Sequence, residues 1–320
     1  RGYNRATQMK RQPGSTMKPL AVYSPALQNG YHYDSELSNK LQKFGKNGYE
    51  PKNVDNQYSN KIPMYEALAQ SKNVPAVWLL DKIGVSKGVQ SVENFGIHVN
   101  KSDQNLALAL GGLSTGVSPL QMARAYSAFA NEGNLPNQSY CITKITDASG
   151  NVIAQNKNPG NHRIISTNTA KEMTSMLLGV FTSGTGRSAQ PSSFRVAGKT
   201  GSTEVPDSYG FGTKDQWIVG YTPDVVLSTW VGFDKTDQEH YMEGISETGI
   251  THLYKSELER LLPYTSQTQF KEKSAQQIAK DTGANSDWLG NLGQQVQKGI
   301  NDTGSKFNEW YNNLKGILGR

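Results

Sequence analysis

The stretch Arg11-Gln12-Pro13-Gly14-Ser15-Thr16-Met17-Lys18-Pro19-Leu20 limits what this chain can fold into more than any other. Pro19 has no N–H, so a helix through it costs least if it starts around Ser15 or Thr16, within the turn whose N–H groups lack intrahelical partners anyway. Ser15 then stands at a helix N-terminus, where the positive dipole end favours developing negative charge. Lys18, three residues later, lies on the same face about one turn away. An amine near a hydroxyl is what a weak alcohol nucleophile needs to lose its proton. Gly14 lets other backbone approach closely. Ser-x-x-Lys alone reads more readily as a capping serine with an exposed lysine, but it occurs once here, and later motifs decide between the two.

The chain has 320 residues, enough for one large domain or two modest ones. It starts at Arg1, with no signal peptide and no apolar run long enough to span a bilayer, so a mature product or fragment is expected, with any targeting element upstream. A single cysteine, Cys141, excludes an internal disulfide framework. The net charge of +6 is mild, and no Lys/Arg run interleaved with aromatics suggests a nucleic-acid surface. Weak attraction to anionic lipid or wall polymer is the expected consequence. His32, His98, His162, His240 and His252 form no metal-ligand spacing, and no metal or other cofactor is expected.

Residues 15–29 read as a helix stopped by Asn29-Gly30. From 30 to 60 no period is sustained, which predicts a long surface excursion. Residues 62–70 are helical in pattern, and a second helix, VPAVWLLDKIG, carries Pro75 in its first turn. Ser71-Lys72-Asn73 therefore falls in a tight connection between helices, where side chains can project into a cleft. Ser149-Gly150-Asn151 and Ser166-Thr167-Asn168 share the Ser-x-Asn spacing but read as a hairpin turn and a helix start. Further helices are expected at 86–95, after the capping Ser118-Pro119, and at 168–182, where a methionine stripe reads as core filling. Residues 142–146 and 151–155 suggest a hairpin. Strands are expected at 194–203, 216–222 and 225–233, then a helix at 245–262. The first strand contains Lys199-Thr200-Gly201-Ser202, and glycine inside a strand often marks another backbone lying close. It is no phosphate-binding loop, because Ser193 stands where that motif needs glycine. The domain expectation is 1–263 for the folded unit, 264–284 for a polar linker, and 285–320 for an amphipathic helical tail.

Ser15-x-x-Lys18, Ser71-x-Asn73 and Lys199-Thr200-Gly201, in this order on helix, interhelix turn and strand, resemble the signature of serine acyltransferases that react with penicillin. These are the penicillin-binding transpeptidases and the serine β-lactamases. The flanking RQPGSTMKP, ALAQSKNVPAV, GVSPLQMARAYSAFAN, GTGR and DQWIVGYTPD look like the transpeptidase domain of class A, bifunctional penicillin-binding proteins of Gram-positive bacteria. The resemblance covers about residues 1–262. It implies an α/β fold, an antiparallel sheet against a helical region, with N-terminal strands missing here. It also implies an upstream glycosyltransferase domain, a membrane anchor, and a place at the extracytoplasmic face of the cell membrane.

By that resemblance Ser15 attacks the D-Ala-D-Ala carbonyl of a peptidoglycan stem peptide, or a β-lactam antibiotic. Lys18 is the base, Ser71 relays a proton to the leaving group, and Asn73 binds the substrate amide. Lys199, with the hydroxyls of Thr200 and Ser202, faces the terminal carboxylate. The backbone N–H groups of Ser15 and Ser202 form the oxyanion hole, Gly201 leaving room beside it. A D,D-carboxypeptidase, a β-lactamase and a penicillin-binding sensor module remain alternatives. A β-lactamase needs an extra carboxylate to hold its water, and no acidic residue presents itself for that role.

Overall fold

The computed structural model describes residues 2–45, 47–157 and 159–283, in which an antiparallel sheet lies against a helical body. The helix that carries Ser15 runs over 14–28 in three windings: a 3₁₀ turn at Gly14–Met17, a π turn at Pro19–Tyr23 and an α segment at Ser24–Gln28. Its prolines dictate the changes. Pro19 has no N–H for Ser15 O, so the Lys18 N–H closes on that carbonyl one residue early. The Ser24 N–H reaches back five residues to Pro19 O. Leu20 O, whose partner in that pattern would be Pro25, accepts from Ser91 Oγ at 2.6 Å. Thr16 O accepts from the Tyr126 hydroxyl at 2.7 Å.

Met17, Leu20, Ala21, Val22 and Tyr23 are fully buried, so this helix runs through the middle of the helical body. Fully burying a large apolar side chain contributes roughly 1.5–3 kcal/mol, which holds a helix whose own ladder is interrupted twice. Around it lie Met64–Ala69, Asn73–Ile83, Val85–Asn94, Pro119–Ala130 and Thr167–Thr182. Ser118 and Gln121 form a reciprocal capping box, and Met173 and Met176 are buried core fillers. No helix among the described residues is long and apolar enough to cross a membrane.

The sheet is built on Gly212–Tyr221, whose Trp217, Ile218, Val219 and Tyr221 are fully buried. Ala197–Glu204 pairs with one edge of it and Val226–Gly232 with the other, both antiparallel. The two-residue strand Met242–Glu243 extends it at Gly212 and Thr213. Helix Thr167–Thr182 packs along the first strand and Pro119–Ala130 along the other two.

Three expectations are corrected. The stretch 30–60 contains Glu36–Asn39, paired with Ser59–Pro63, and buries Leu37, Asn39, Phe44 and Asn53. Its polar composition misleads because Asn53 and Asn39 satisfy each other inside, Nδ2 to Oδ1 at 2.7 Å. The last helix of this unit's sheet region starts at Thr251, not 245, because Ser246 is bound to the Lys-Thr-Gly strand. The compact unit runs to Gln276 instead of ending at 263. The Arg195 guanidinium donates to Phe270 O and Glu272 O, and the Phe270 ring meets Tyr221 edge-on, so the polar stretch after 264 is tied down. The second unit is Gln277–Arg320, of which 277–283 are described; the expected amphipathic tail at 285–320 lies outside the described residues.

Among the described residues Val226–Gly232 has a strand partner on one side only. Its sequence, VLSTWVG, is apolar and uncharged, the composition that invites edge-to-edge pairing. The chain on its own is expected to self-associate as its concentration rises, measured by sedimentation and light scattering. A concentration-independent monomer would show that this edge is protected.

Candidate active site

A cleft of about 590 Å³ brings the three motifs together: Ser15, Ser71, Asn73, Thr200, Gly201 and Ser202 all line it. Bare backbone holds the Ser15 turn. Gly14 has φ +54°, and a Cβ there would lie 2.4 Å from Ser202 O. On the other side Gly111, at φ +85°, backs onto Gly14 itself, with a Cβ 2.4 Å from Gly14 O. Glycine alone meets both the conformation and the space. Gly201 abuts Pro13 O in the same way, and Trp217 Nε1 donates to Gln12 O at 2.9 Å. Ser15 is thereby fixed against the Lys-Thr-Gly strand.

Lys18 and Lys199 are both fully buried. Lys18 Nζ lies within hydrogen-bond distance of Ser71 O (2.5 Å), Asn73 Oδ1 (2.7 Å), Lys72 O (3.1 Å) and Ser71 Oγ (3.3 Å), more acceptors than the two N–H groups of a neutral amine serve at once. A bond to Ser15 Oγ is not among these contacts; such bonds often tighten only once substrate is bound. Lys199 Nζ donates to Ser71 Oγ at 2.8 Å and to Thr200 O at 3.1 Å. The Ser71 hydroxyl thus sits between two amines from a helix and a strand. Burial first, and the Lys199 charge second, hold the Lys18 amine well below the usual lysine range. Burial lowers Lys199 to about 8, against the pull of the Glu247 carboxylate.

The Ser-Lys-Asn turn is clamped by the stretch that composition marked as surface. Asn53 Oδ1 accepts from the Asn73 and Val74 N–H groups at 2.9 and 3.0 Å, capping helix Asn73–Ile83. Lys72 pairs with Asp55 at 2.5 Å. Asn73 Nδ2 donates to Lys52 O at 2.8 Å, so one of its two N–H groups is left for a substrate carbonyl. Ser71 stands at φ +56°, the left-handed position after helix Met64–Ala69 where glycine is usual. A serine there costs about 1–2 kcal/mol. The structure keeps it where its hydroxyl meets both amines.

Hydrogen-bond accounting refines the strand side. Ser246 Oγ donates to Gly201 O at 3.0 Å; its 2.6 Å contact with Ser202 Oγ therefore uses the Ser202 proton, and Ser202 Oγ accepts from the Ser246 N–H. The Ser202 side chain has no proton left for a ligand. Thr200 Oγ1 sits 2.6 Å from Thr185 Oγ1 and donates toward Glu247 Oε1 at 3.4 Å. Thr200, with Thr185, is the hydroxyl that faces the cleft, while Lys199 lies beneath. Thr185 belongs to the GTGR run, which marks a tight turn in the sequence without revealing its partner. Sequence reasoning missed Glu247, because an expected helix from 245 absorbed it.

Ser71→Gly and Ser71→Ala both delete the shared hydroxyl, but only glycine relieves the backbone. The glycine variant is expected to be more stable than the alanine variant by about 1 kcal/mol, about 2–4 °C in Tm, measured by thermal unfolding. Equal Tm values would show that position 71 stores no strain.

Residues 1–252 match the penicillin-binding protein transpeptidase domain family. Penicillin-binding protein 2a of Streptococcus pneumoniae is 45% identical over 280 residues, 86% of this chain and 37% of that protein. Penicillin-binding protein 1F of Bacillus subtilis is 46% identical over 244 residues, 76% of this chain and 33% of that protein. The chain therefore spans little more than a third of these curated relatives. Among solved structures, penicillin-binding protein 1A of Haemophilus influenzae superposes with a TM-score of 0.70 at 27% identity, over 84% of this chain and 44% of that one. PonA1 of Mycobacterium tuberculosis shares the fold at a TM-score of 0.73 and 22% identity, over 85% of this chain and 74% of that one. With the ordered motifs folded into one cleft and the family match spanning most of its length, the chain belongs to the penicillin-binding protein transpeptidase domain family.

Proposed function

We propose that this chain is a peptidoglycan D,D-transpeptidase that works through a Ser15 acyl-enzyme and is acylated by β-lactams. The observation that carries the reading is the buried chain Lys18–Ser71–Lys199 beside Ser15 in an open cleft. Ser15 Oγ attacks the carbonyl between the two terminal D-alanines, and its proton passes to the neutral Lys18 amine. The Oγ–C bond forms, the C–N bond breaks, and Ser71 hands its proton to the departing D-alanine amine while taking the one that Lys18 received from Ser15. The amine of a neighbouring stem peptide then attacks the ester; a new C–N bond forms, the ester C–O bond breaks, and Ser15 recovers its proton. The N–H groups of Ser15 and Ser202 stabilise the oxyanion, a donor of this kind being worth about 3–4 kcal/mol. The substrate carboxylate accepts the Thr200 proton in place of the weak 3.4 Å contact that Thr200 makes with Glu247, with the Lys199 charge behind it, and Asn73 binds the substrate amide. The site belongs at the extracytoplasmic face of a bacterial membrane, joined to an upstream glycosyltransferase domain and anchor. The relatives' greater length and the class A flanking sequences support that placement.

Intact-mass analysis after benzylpenicillin should show one adduct, absent from Ser15→Ala; an adduct that survives in the alanine variant would sink the assignment. Slow release of the adduct speaks against a β-lactamase. Product analysis of a stem peptide with and without an acceptor amine separates cross-linking from the carboxypeptidase reading.

The rate of acylation should follow a bell in pH. It rises as Lys18 loses its proton, below the usual lysine range, and falls as Lys199 loses its charge at about 8. A rate that keeps rising above pH 9 (roughly one unit past that limb) would show that the charge on Lys199 is not needed.

A further inference from the structure

Glu247 is the feature of this cleft that neither the motifs nor the steps above use. It lines the cleft, half-buried, on the segment between the Met242–Glu243 strand and helix Thr251–Leu261. That segment is held to the Lys-Thr-Gly strand rather than lying free. Ser246, fully buried, is bonded to Gly201 O and to both acceptor and donor functions of the Ser202 hydroxyl. Thr251 Oγ1 makes a long contact with the Glu247 carbonyl at 3.5 Å. The carboxylate is thereby brought to the Thr200 hydroxyl at 3.4 Å, one residue from Lys199. At that length the bond to Thr200 is weak, so what Glu247 supplies to the site is chiefly charge.

The charges around it make the consequence specific. Lys18 faces the cluster from the nucleophile helix, Lys72 from the Ser-Lys-Asn turn, and Lys199 from the strand. Lys72 has Asp55 as its own partner. Lys18 and Lys199 share one hydroxyl, and their charges oppose each other. The carboxylate whose charge favours the ammonium form of both is that of Glu247. It touches Thr200 on the strand that carries Lys199, and its interaction with the Lys199 charge is larger than that with Lys18.

On the acyl-transfer reading above, we propose that Glu247 is a positioning residue, the counter-charge that keeps the Lys199 ammonium charged while Lys18 is neutral. Burial and the neighbouring ammonium already disfavour a charge on Lys18, and the anion adds to the preference for Lys199. With an anion on one side, the proton resides on Lys199, and the lone pair needed to deprotonate Ser15 resides on Lys18. Glu247 does this without touching substrate.

The test is the pH dependence of acylation of the full chain by benzylpenicillin, followed by intact mass, in the wild type, Glu247→Gln and Glu247→Asp. Glutamine keeps the shape and the acceptor for Thr200 but removes the charge. The alkaline limb, near 8 in the wild type, is expected to move down by about one pH unit in Glu247→Gln. The acid-side rise should shift in the same direction by less. Glu247→Asp keeps a carboxylate drawn back from Lys199, so its limb moves the same way by a smaller amount. That variant serves as the readout should the glutamine variant fail to fold, which thermal unfolding shows. A merely structural Glu247 would change rates or Tm and leave the limb in place. Coincident limbs in acylating wild-type and variant proteins would overturn the role of Glu247 alone. A wild-type chain that forms no adduct at Ser15 would overturn the acyl-transfer reading and this proposal together.

Discussion

Two buried amines meet one hydroxyl in this protein: Lys18 at 3.3 Å and Lys199 at 2.8 Å from Ser71 Oγ. Taking two ammonium groups out of water beside each other is unfavourable, so the arrangement survives only because its surroundings allow no other. Ser71 is held in a left-handed conformation that a serine would leave if the helices before and after it did not hold both ends. Lys18 is buried because its helix runs through the middle of the helical body, and Lys199 because its strand is covered by Thr167–Thr182. Remove any of these supports and water reaches the amines, restoring ordinary lysine behaviour.

The same constraint explains the irregular helix that carries Ser15 and Lys18. A straight α-helix through Pro19 and Pro25 would leave buried carbonyls unpaired; the 3₁₀ and π turns move the breaks to places where Ser91 and Tyr126 can repair them. The 3₁₀ turn also bears on the chemistry. Residues three apart eclipse in that winding, so Ser15 and Lys18 are placed on one line. Gly14 and Gly111 let that turn sit against the strand at backbone contact distance. Buried apolar packing and backbone fit, more than hydrogen bonds made by Ser15 itself, locate that serine.

Much of this was legible in the chain. The helix from Ser15, the capped helix after Ser118, the methionine-filled helix and the three strands all follow from period, caps and proline placement, which are local properties. Residues 30–60 misled because their burial depends on amide pairs such as Asn53–Asn39, and a polar residue satisfied inside has the same composition as one outside. Residues 245–250 misled because a helical pattern was overridden by Ser246, whose partners lie more than forty residues earlier.

By itself, then, the sequence determined most helix and strand positions, the order of the three motifs, and the residue types that acyl transfer from a peptide requires. Propensity, capping and proline geometry act over a few residues, so they can be read in one dimension. The tertiary structure alone decided which hydroxyl protons are already spent, as on Ser202, and which acid answers the buried lysines. It also decided that Asn73 supports the Lys18 amine while facing the cleft. Hydrogen-bond saturation and Coulomb interactions are set by distance and burial, and both join residues whose separation along the chain carries no trace of their contact.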